Sequence, residues 1–283
     1  MALAVEKLGT TYEEHVAIID PERARAYAAA TNDDNPAYQT GRLAPVVFGV
    51  VPTWQAMGLA VADVVPPDAL MMIVHGEQDM HFHRPLVPGS SIVTRSQAYS
   101  VRVGSSGTRY TVKVTSDDSE TAEPVLEQYV TMFIRGMADG DSAGPDKPDH
   151  TLTPEHKTKP VGDYTVHVDD DQTFRYRDAS GDQMPIHVDD AFARSVGLPG
   201  IIAHGLCTMA MTSQAVIKTV AGGDPERLRR LAVRFSRNVF PGDDLTTTVY
   251  DLGPGVARHS YGFEAMTSRG ETVITNGRAE IAL

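Results

Sequence analysis

One cysteine, Cys207, serves a chain of 283 residues, so no internal disulfide framework is available to hold the fold. Positive charge is also scarce. Lys and Arg total 25 against 37 Asp and Glu, a formal net charge of −12, which argues against nucleic acid or an anionic membrane as partner. A local basic cluster would still allow an anionic small ligand. No apolar run approaches the roughly 20 residues of a membrane span. The first residues, Met1-Ala-Leu-Ala-Val-Glu-Lys, show no basic region leading into a long apolar core, and the final Ala279-Glu-Ile-Ala-Leu matches no anchor or simple address. These absences point to a soluble, cytoplasmic protein.

What remains is ordinary globular composition, 41% hydrophobic and 22% charged, in a chain long enough for one large domain or two of about 130 to 150 residues. Two domains are expected. Residues 16–19 are β-like, Asp20-Pro21-Glu22 opens a helix over 22–31, and Asn32-Asp-Asp-Asn-Pro36 stops it. The apolar stretch 46–65 reads as a buried helix with Pro52 near its first turn. Strands are predicted at 73–82, 91–103, 108–115 and 125–134, and the turn-forming residues between them read as an antiparallel meander. Residues 139–160 are rich in Asp, Gly, Ser, Pro and Lys with little that could pack, and read as a linker between domains 1–138 and 161–283. The second half repeats the plan: a β-like 164–168, helices at 171–179, 189–196 and 205–220, then strands at 231–235, 245–252, 257–267 and 272–281.

The repetition extends to residues. A slide of 149 aligns Tyr27, Asp33, Pro36 and Tyr38 with Tyr176, Asp182, Pro185 and His187; one of 156 aligns Gly49 with Gly205; one of 153 aligns Phe82, Arg84, Pro88 and Gly89 with Phe235, Arg237, Pro241 and Gly242. An internal duplication follows, each half an α+β unit with a long apolar helix wrapped by an antiparallel sheet. Chemistry concentrates in one stretch of the second copy, residues 176–220, where an acid and a base, Asp182 and His187, sit five positions apart ahead of a helix that begins at Gly205. The first copy keeps Asp33 but has Tyr38 in place of the histidine, which predicts an inactive half.

Tyr176, Ser180-Gly-Asp182, Pro185, His187 and His204-Gly205-Leu-Cys-Thr resemble the MaoC-like (R)-specific enoyl-CoA hydratases and (3R)-hydroxyacyl-thioester dehydratases of fatty acid metabolism. Their unit is the hotdog fold, and the linked halves look like the double-hotdog members, with two tandem hotdogs forming a pseudo-dimer in one chain. The pattern match is strong in the second half and mainly architectural in the first. The resemblance implies reversible hydration of trans-2-enoyl-CoA to (3R)-3-hydroxyacyl-CoA, with Asp182 and His187 as the catalytic pair and the Gly205 N–H polarising the thioester carbonyl. Neither a metal nor a redox cofactor is implied. Acyl-CoA or an acyl carrier protein would carry the substrate, and the chain would be a monomeric pseudo-dimer or a homodimer of double hotdogs. Met184 departs from the family, which often has Asn there, with a consequence for the hydrogen bonding of the loop. In double-hotdog relatives the degenerate half makes room for a longer or bulkier acyl tail, which residues 46–65 would line.

The chemistry fits these residue types. Hydration needs a base for water at C3, an acid for C2 and donors for the thioester oxygen. Asp182 and His187 supply the first two only if the chain folds back, since five extended residues span up to roughly 17 Å; Gly181 and Pro185 allow that bend. A glycine opening a helix offers an unshielded N–H at the positive end of the dipole. Tyr176, His204, Arg234 and Arg237 are candidate substrate contacts, with the core for Tyr176 and a place before the helix for His204 as competing readings. The basic group Arg227, Arg229, Arg230, Arg234 and Arg237 reads either as a solvated face or as a contact for CoA phosphates. Cys207 reads as a buried small residue, and His81 and His83, two apart on one strand face, as ordinary strand residues rather than metal ligands. Two rivals remain: a hotdog acyl-CoA thioesterase, and a non-catalytic acyl-CoA-binding subunit.

Overall fold

The computed structural model describes residues 2–283. After the short β1 (His15–Ile18) comes α1 (Pro21–Ala30), started by the Asp20 carboxylate, which accepts the Glu22 and Arg23 N–H groups at 2.9 Å, with Pro21 in the first helical position. Then come α2 (Pro36–Gln39), α3 (Trp54–Val64) and the strands β2 (Ile73–Phe82), β3 (Ser91–Gly104), β4 (Gly107–Asp118) and β5 (Pro124–Arg135). The second half supplies β6 (Pro160–His167), α4 (Gln172–Ser180), α5 (Asp190–Ser195), α6 (Gly205–Val220), β7 (Leu228–Phe235), β8 (Asp244–Pro254), β9 (Arg258–Thr267) and β10 (Thr272–Ala282).

All ten strands join one antiparallel sheet in the order β1-β3-β4-β5-β2-β7-β10-β9-β8-β6. Each half therefore has the same internal order, and the halves meet where β2 pairs with β7. The slide of 153 that aligns Phe82 with Phe235 also carries Asp79 to Ala232, and those two residues face each other in the β2–β7 register. Antiparallel strands related in this way have a pseudo-twofold axis at that pair. The helical layer obeys the same axis: Tyr27 and Tyr176, aligned by the slide of 149, hydrogen-bond through their hydroxyls at 3.0 Å. One apolar core runs through both halves, from Phe48 and Met80 to Met209, Leu231 and Phe263.

Three expectations are corrected. The strands do not form a simple meander: β2 pairs with β5 on one side and β7 on the other, while β3 takes β1 as its second neighbour. Turn chemistry fixes where strands stop but not which edges meet. The stretch 46–65 is not one α-helix. It begins as a 3-10 helix, Val46–Thr53, containing Pro52, and becomes α3 only at Trp54; a proline withholds its N–H and its ring crowds the turn before it. At Val46–Val64 the combined stretch is long and apolar enough to cross a membrane by length and composition, but half of it is buried within the protein. In contrast α6 buries every residue from Leu206 to Ile217. Finally, 139–160 does pack. Residue Ala143 bridges to Val101, His150 and Leu152 are buried, and the His150 Nδ1–H donates to the Asn276 carbonyl at 2.7 Å.

Candidate active site

Helix α4 ends because Gly181 takes a left-handed conformation, φ +81°, turning the chain back on itself. In the loop that follows, the Asp182 N–H donates to Ser180 Oγ at 3.2 Å, and one Asp182 carboxylate oxygen accepts the Met184 N–H at 3.1 Å. Pro185–His187 then forms a single 3-10 turn. The returning segment before α6 fastens this loop: the Ile202 N–H donates to the Ile186 carbonyl at 3.2 Å and the His204 ring donates from Nε2 to the Asp182 carbonyl at 3.2 Å. The fold-back that the spacing demanded is therefore present. Ligating atoms of Asp182, His187 and His204 all lie within 4.8 Å of one another.

His187 is buried, and its Nδ1–H donates to the Ile202 carbonyl at 2.8 Å. A carbonyl only accepts, so the hydrogen bond fixes the tautomer and leaves the Nε2 lone pair free. Burial lowers the pKa of His187 from its ordinary 6.5, against the Ile202 carbonyl and the Asp182 carboxylate, which favour the charged form. His204 stacks on it at 3.8 Å with the ring planes 26° apart, and burial, with His187 beside it, lowers its pKa to about 3. The cluster thus sets a neutral imidazole beside a carboxylate, the arrangement that proton transfer needs.

Behind the pair, α6 begins at Gly205 with no side chain capping its N-terminus, which leaves the first N–H groups available for an acceptor. Gly205 is partly exposed although Leu206 and Cys207 are buried. A Cβ there would touch the Phe235 ring at 3.4 Å, so Phe235 forms one wall of the opening.

The first half shows what happens without the histidine. Asp33 keeps the same turn, accepting the Asn35 N–H at 3.0 Å, but burial raises its pKa to about 6. Tyr38 is buried among Ala28, Ala37 and Leu43. Gly49 lies inside the 3-10 helix, where a Cβ would meet Leu126 at 2.7 Å, Leu86 at 3.0 Å and Met80 at 3.3 Å. Apolar side chains fill the place of the glycine opening, and a residual cavity of about 20 Å³ lined by Val46, Phe82, Leu86 and Leu228 remains beside it. That is space for about one water, not for an acyl tail.

The other sequence candidates divide between core and surface. Tyr176 lies in the core on the pseudo-twofold, its hydroxyl committed to Tyr27 and its ring 4.8 Å from that of His204, so it supports the site from behind. The arginine group disperses. Arg230 is buried against Asp79, Arg227 donates to the Ala282 carbonyl, and only Arg234 and Arg237 stand exposed on either side of Phe235. His83 lies beyond the end of β2, while His81 Nε2 sits 3.2 Å from Asp79. Cys207 is fully buried, and burial raises its pKa to about 12. Met184, exposed, gives the 3-10 turn no side-chain cap, whereas Asn35 at the equivalent position caps α2 by accepting the Ala37 N–H at 3.0 Å.

Residues 151–267 match the MaoC like domain and residues 41–136 the MFE-2 hydratase 2 N-terminal domain. The chain is 26% identical over 213 residues to a probable enoyl-CoA hydratase 2 of Dictyostelium discoideum, covering 75% of this chain and 70% of that protein. It is 30% identical over 243 residues to a peroxisomal hydratase-dehydrogenase-epimerase of Neurospora crassa, covering 83% of this chain but 26% of that longer protein. Among solved structures, a MaoC-like dehydratase from Phytophthora capsici superposes with a TM-score of 0.85 at 25% identity, covering 99% of this chain and 97% of that one. A Mycobacterium tuberculosis protein described as a double hotdog superposes at 0.64 with 12% identity, covering 98% and 96%, a likeness of fold. With two equivalent half-sheets about one axis and matches to both domain types, the chain belongs to the MaoC-like double-hotdog proteins.

Proposed function

We propose that this protein adds water reversibly to trans-2-enoyl-CoA, giving (3R)-3-hydroxyacyl-CoA, or runs the reverse dehydration. The observation that carries the reading is the His187 ring, held by Ile202 so that a free Nε2 lone pair lies beside the Asp182 carboxylate at the open end of α6. The named relatives support the same chemistry.

A water held between Asp182 and His187 loses a proton to Nε2 as its oxygen bonds to C3 of the enoyl group. The imidazolium formed is the acid that C2 requires. Its proton returns to the substrate, so one water supplies both the hydroxyl and the hydrogen, and the pair ends unchanged. Asp182 orients the water and stabilises the transient imidazolium, for which its charge favours the protonated ring. Negative charge gathering on the thioester oxygen meets the uncapped N–H of Gly205 and the positive end of α6. No metal or redox cofactor takes part in this scheme. An acyl carrier protein is an alternative carrier, and the pseudo-dimer acts as a monomer or pairs again.

Medium, long or bulky acyl chains are the proposed substrates. Exposed Leu70 and Met71 and the partly exposed Met57, Leu59 and Val61 place apolar surface on the first half, leading into β2. The test is a panel of enoyl-CoA thioesters followed by loss of the enoyl chromophore, with product chirality and free thiol measured together. Wild type should yield the 3R product without releasing thiol. Asp182→Asn and His187→Ala should each lose on the order of 10² to 10⁴ in rate. Full activity in both variants refutes the mechanism, thiol release favours a thioesterase, and a strong preference for crotonyl-CoA refutes the chain-length proposal.

A further inference from the structure

His75 belongs to the first half, yet its ring packs against a wall of the second-half site. Its centroid is 5.1 Å from that of Phe235 at 68°, and Phe235 is the ring that flanks Gly205. The Asp182 carboxylate is near enough to act on its charge, although burial dominates and lowers its pKa to about 4. Its Nε2 is sealed from solvent and makes no well-aligned hydrogen bond, although the Gln78 side chain and the Glu77 backbone lie close enough to favour the charged ring.

The pseudo-twofold gives an independent control. In β2 an extra residue, Gly76, bulges between His75 and Glu77 where they pair with β5; in β7, Arg229 bulges in the same way between Leu228 and Arg230 opposite β10. The slide of 153 superposes these bulges and so equates His75 with Leu228. Leu228 and Phe82 line the residual cavity of the filled first-half site. Their counterparts, His75 and Phe235, therefore occupy the matching wall of the open site. A bulge beside a site re-aims the side chain next to it.

The polar character does not stop at the ring. The Gln78 carboxamide lies next to His75 and is fully buried. Its Nε2 donates to Gln128 Oε1 at 2.9 Å, Gln128 Nε2 donates to Thr53 Oγ1 at 3.1 Å, and Thr53 donates to the Val50 carbonyl at 2.9 Å. The second half has Leu231 and Met209 at the positions equivalent to Gln78 and Thr53. The same backbone can thus be packed with apolar groups. A buried polar chain kept where the other half packs apolar groups is costly in the free protein and marks a place where polarity serves something other than packing.

We propose that His75 is a binding residue of the second-half site, contributed across the seam, whose imidazole hydrogen-bonds to the thioester–pantetheine part of a bound acyl-CoA. A neutral imidazole suits amide and carbonyl groups rather than phosphates, and its place beside Phe235 keeps it near the Gly205 opening. The proposal rests on the acyl-CoA reading, and the experiment separates the two. His75→Leu copies the residue at the equivalent position, and His75→Gln retains hydrogen-bonding groups. Binding of saturated octanoyl-CoA is measured by calorimetry; KM and kcat are measured with an enoyl-CoA and with the matching enoyl-pantetheine thioester, which lacks the nucleotide. H75L should weaken octanoyl-CoA binding and raise KM for both thioesters roughly tenfold, with kcat within about threefold of wild type, and H75Q should recover most of the loss.

Wild-type affinity and KM in H75L overturn the proposal, as does a defect seen with enoyl-CoA but absent with the pantetheine thioester. If H75L does not fold, His75→Phe makes the same comparison with an apolar ring. No turnover of any enoyl-CoA by wild type, with octanoyl-CoA binding still dependent on His75, sinks the hydratase reading and leaves this one standing. No binding of octanoyl-CoA by wild type overturns both.

Discussion

Replacing Arg230 by Met should damage the seam between the halves more than any exposed charge change. Asp79 is 1% exposed and lies on the pseudo-twofold. Burial alone would raise its pKa, but the hydrogen bonds from His81 and Arg230 lower it to about 2 from 3.8. Arg230 binds it with two nitrogens, at 2.8 and 3.0 Å, and also reaches the Asp149 carbonyl at 3.0 Å and Glu280 at 3.4 Å. Without the guanidinium a buried carboxylate keeps only His81, so a loss of about 3–5 kcal/mol is expected. At about 2–4 °C per kcal/mol for large domains, Tm should fall by roughly 6–20 °C. The double variant Asp79→Leu/Arg230→Met removes both charges and should recover most of that loss. Urea unfolding at pH 7, with a thermal scan, measures all three. The acid limb offers a second check. A carboxylate depressed from 3.8 to about 2 contributes stability above pH 4 that is lost as pH falls toward 2, on the order of 2–3 kcal/mol. The double variant should lack that component. A single variant within about 1 kcal/mol of wild type, or a double variant no more stable than the single, refutes the reasoning.

Other expectations concern the site. His187 must be neutral to accept a proton, so the acid limb of kcat/KM should lie below its ordinary 6.5; a limb above 6.5 would contradict its buried environment. The folded-state pKa values of His75 and His204, about 4 and about 3 against 6.5, make the unfolded chain the better proton binder below pH 6.5. Stability should accordingly be complete above pH 6.5 and fall toward pH 4 by roughly 3 kcal/mol per histidine, with a shallower fall in His75→Leu. Gly205→Ala sets a methyl 3.4 Å from Phe235, so unfolding should change little while kcat/KM drops about tenfold from crowding at the carbonyl; unchanged kinetics would remove Gly205 from the site. Met184→Asn should supply the cap that Asn35 provides in the first half and stabilise the protein by about 1 kcal/mol, read as a higher urea midpoint.

Strand positions and the extent of α6 were legible because Gly, Pro, Asp and Ser mark where regular backbone stops, and because sixteen residues from Gly205 to Val220 carry a helix without interruption. The Asp182–His187 turn was legible for the same reason: Gly181 and Pro185 have few conformations open to them. What escaped were facts set by distant partners. Nothing local says that β2 lies beside β5 rather than β3, or that Arg230 points into the seam while Arg234 and Arg237 point out. His75 also escaped, although the alignment of the halves held a usable signal. A histidine opposite Leu228, and Gln78 opposite Leu231, on strands otherwise alike, mark a place where the copies do different work.

The junction of β2 with β7 has a further consequence for how such a protein can change. Two identical subunits meeting at an axis carry every substitution twice, once in each site, so a group that helps one pocket is forced on the other. Joined in one sheet by one chain, the halves escape that rule, and the unfavourable burial of His75, Gln78, Gln128 and Thr53 occurs once rather than twice. Covalent connection also makes the pairing of the halves independent of protein concentration. Dilution should therefore leave the wall that one half builds for the other in place.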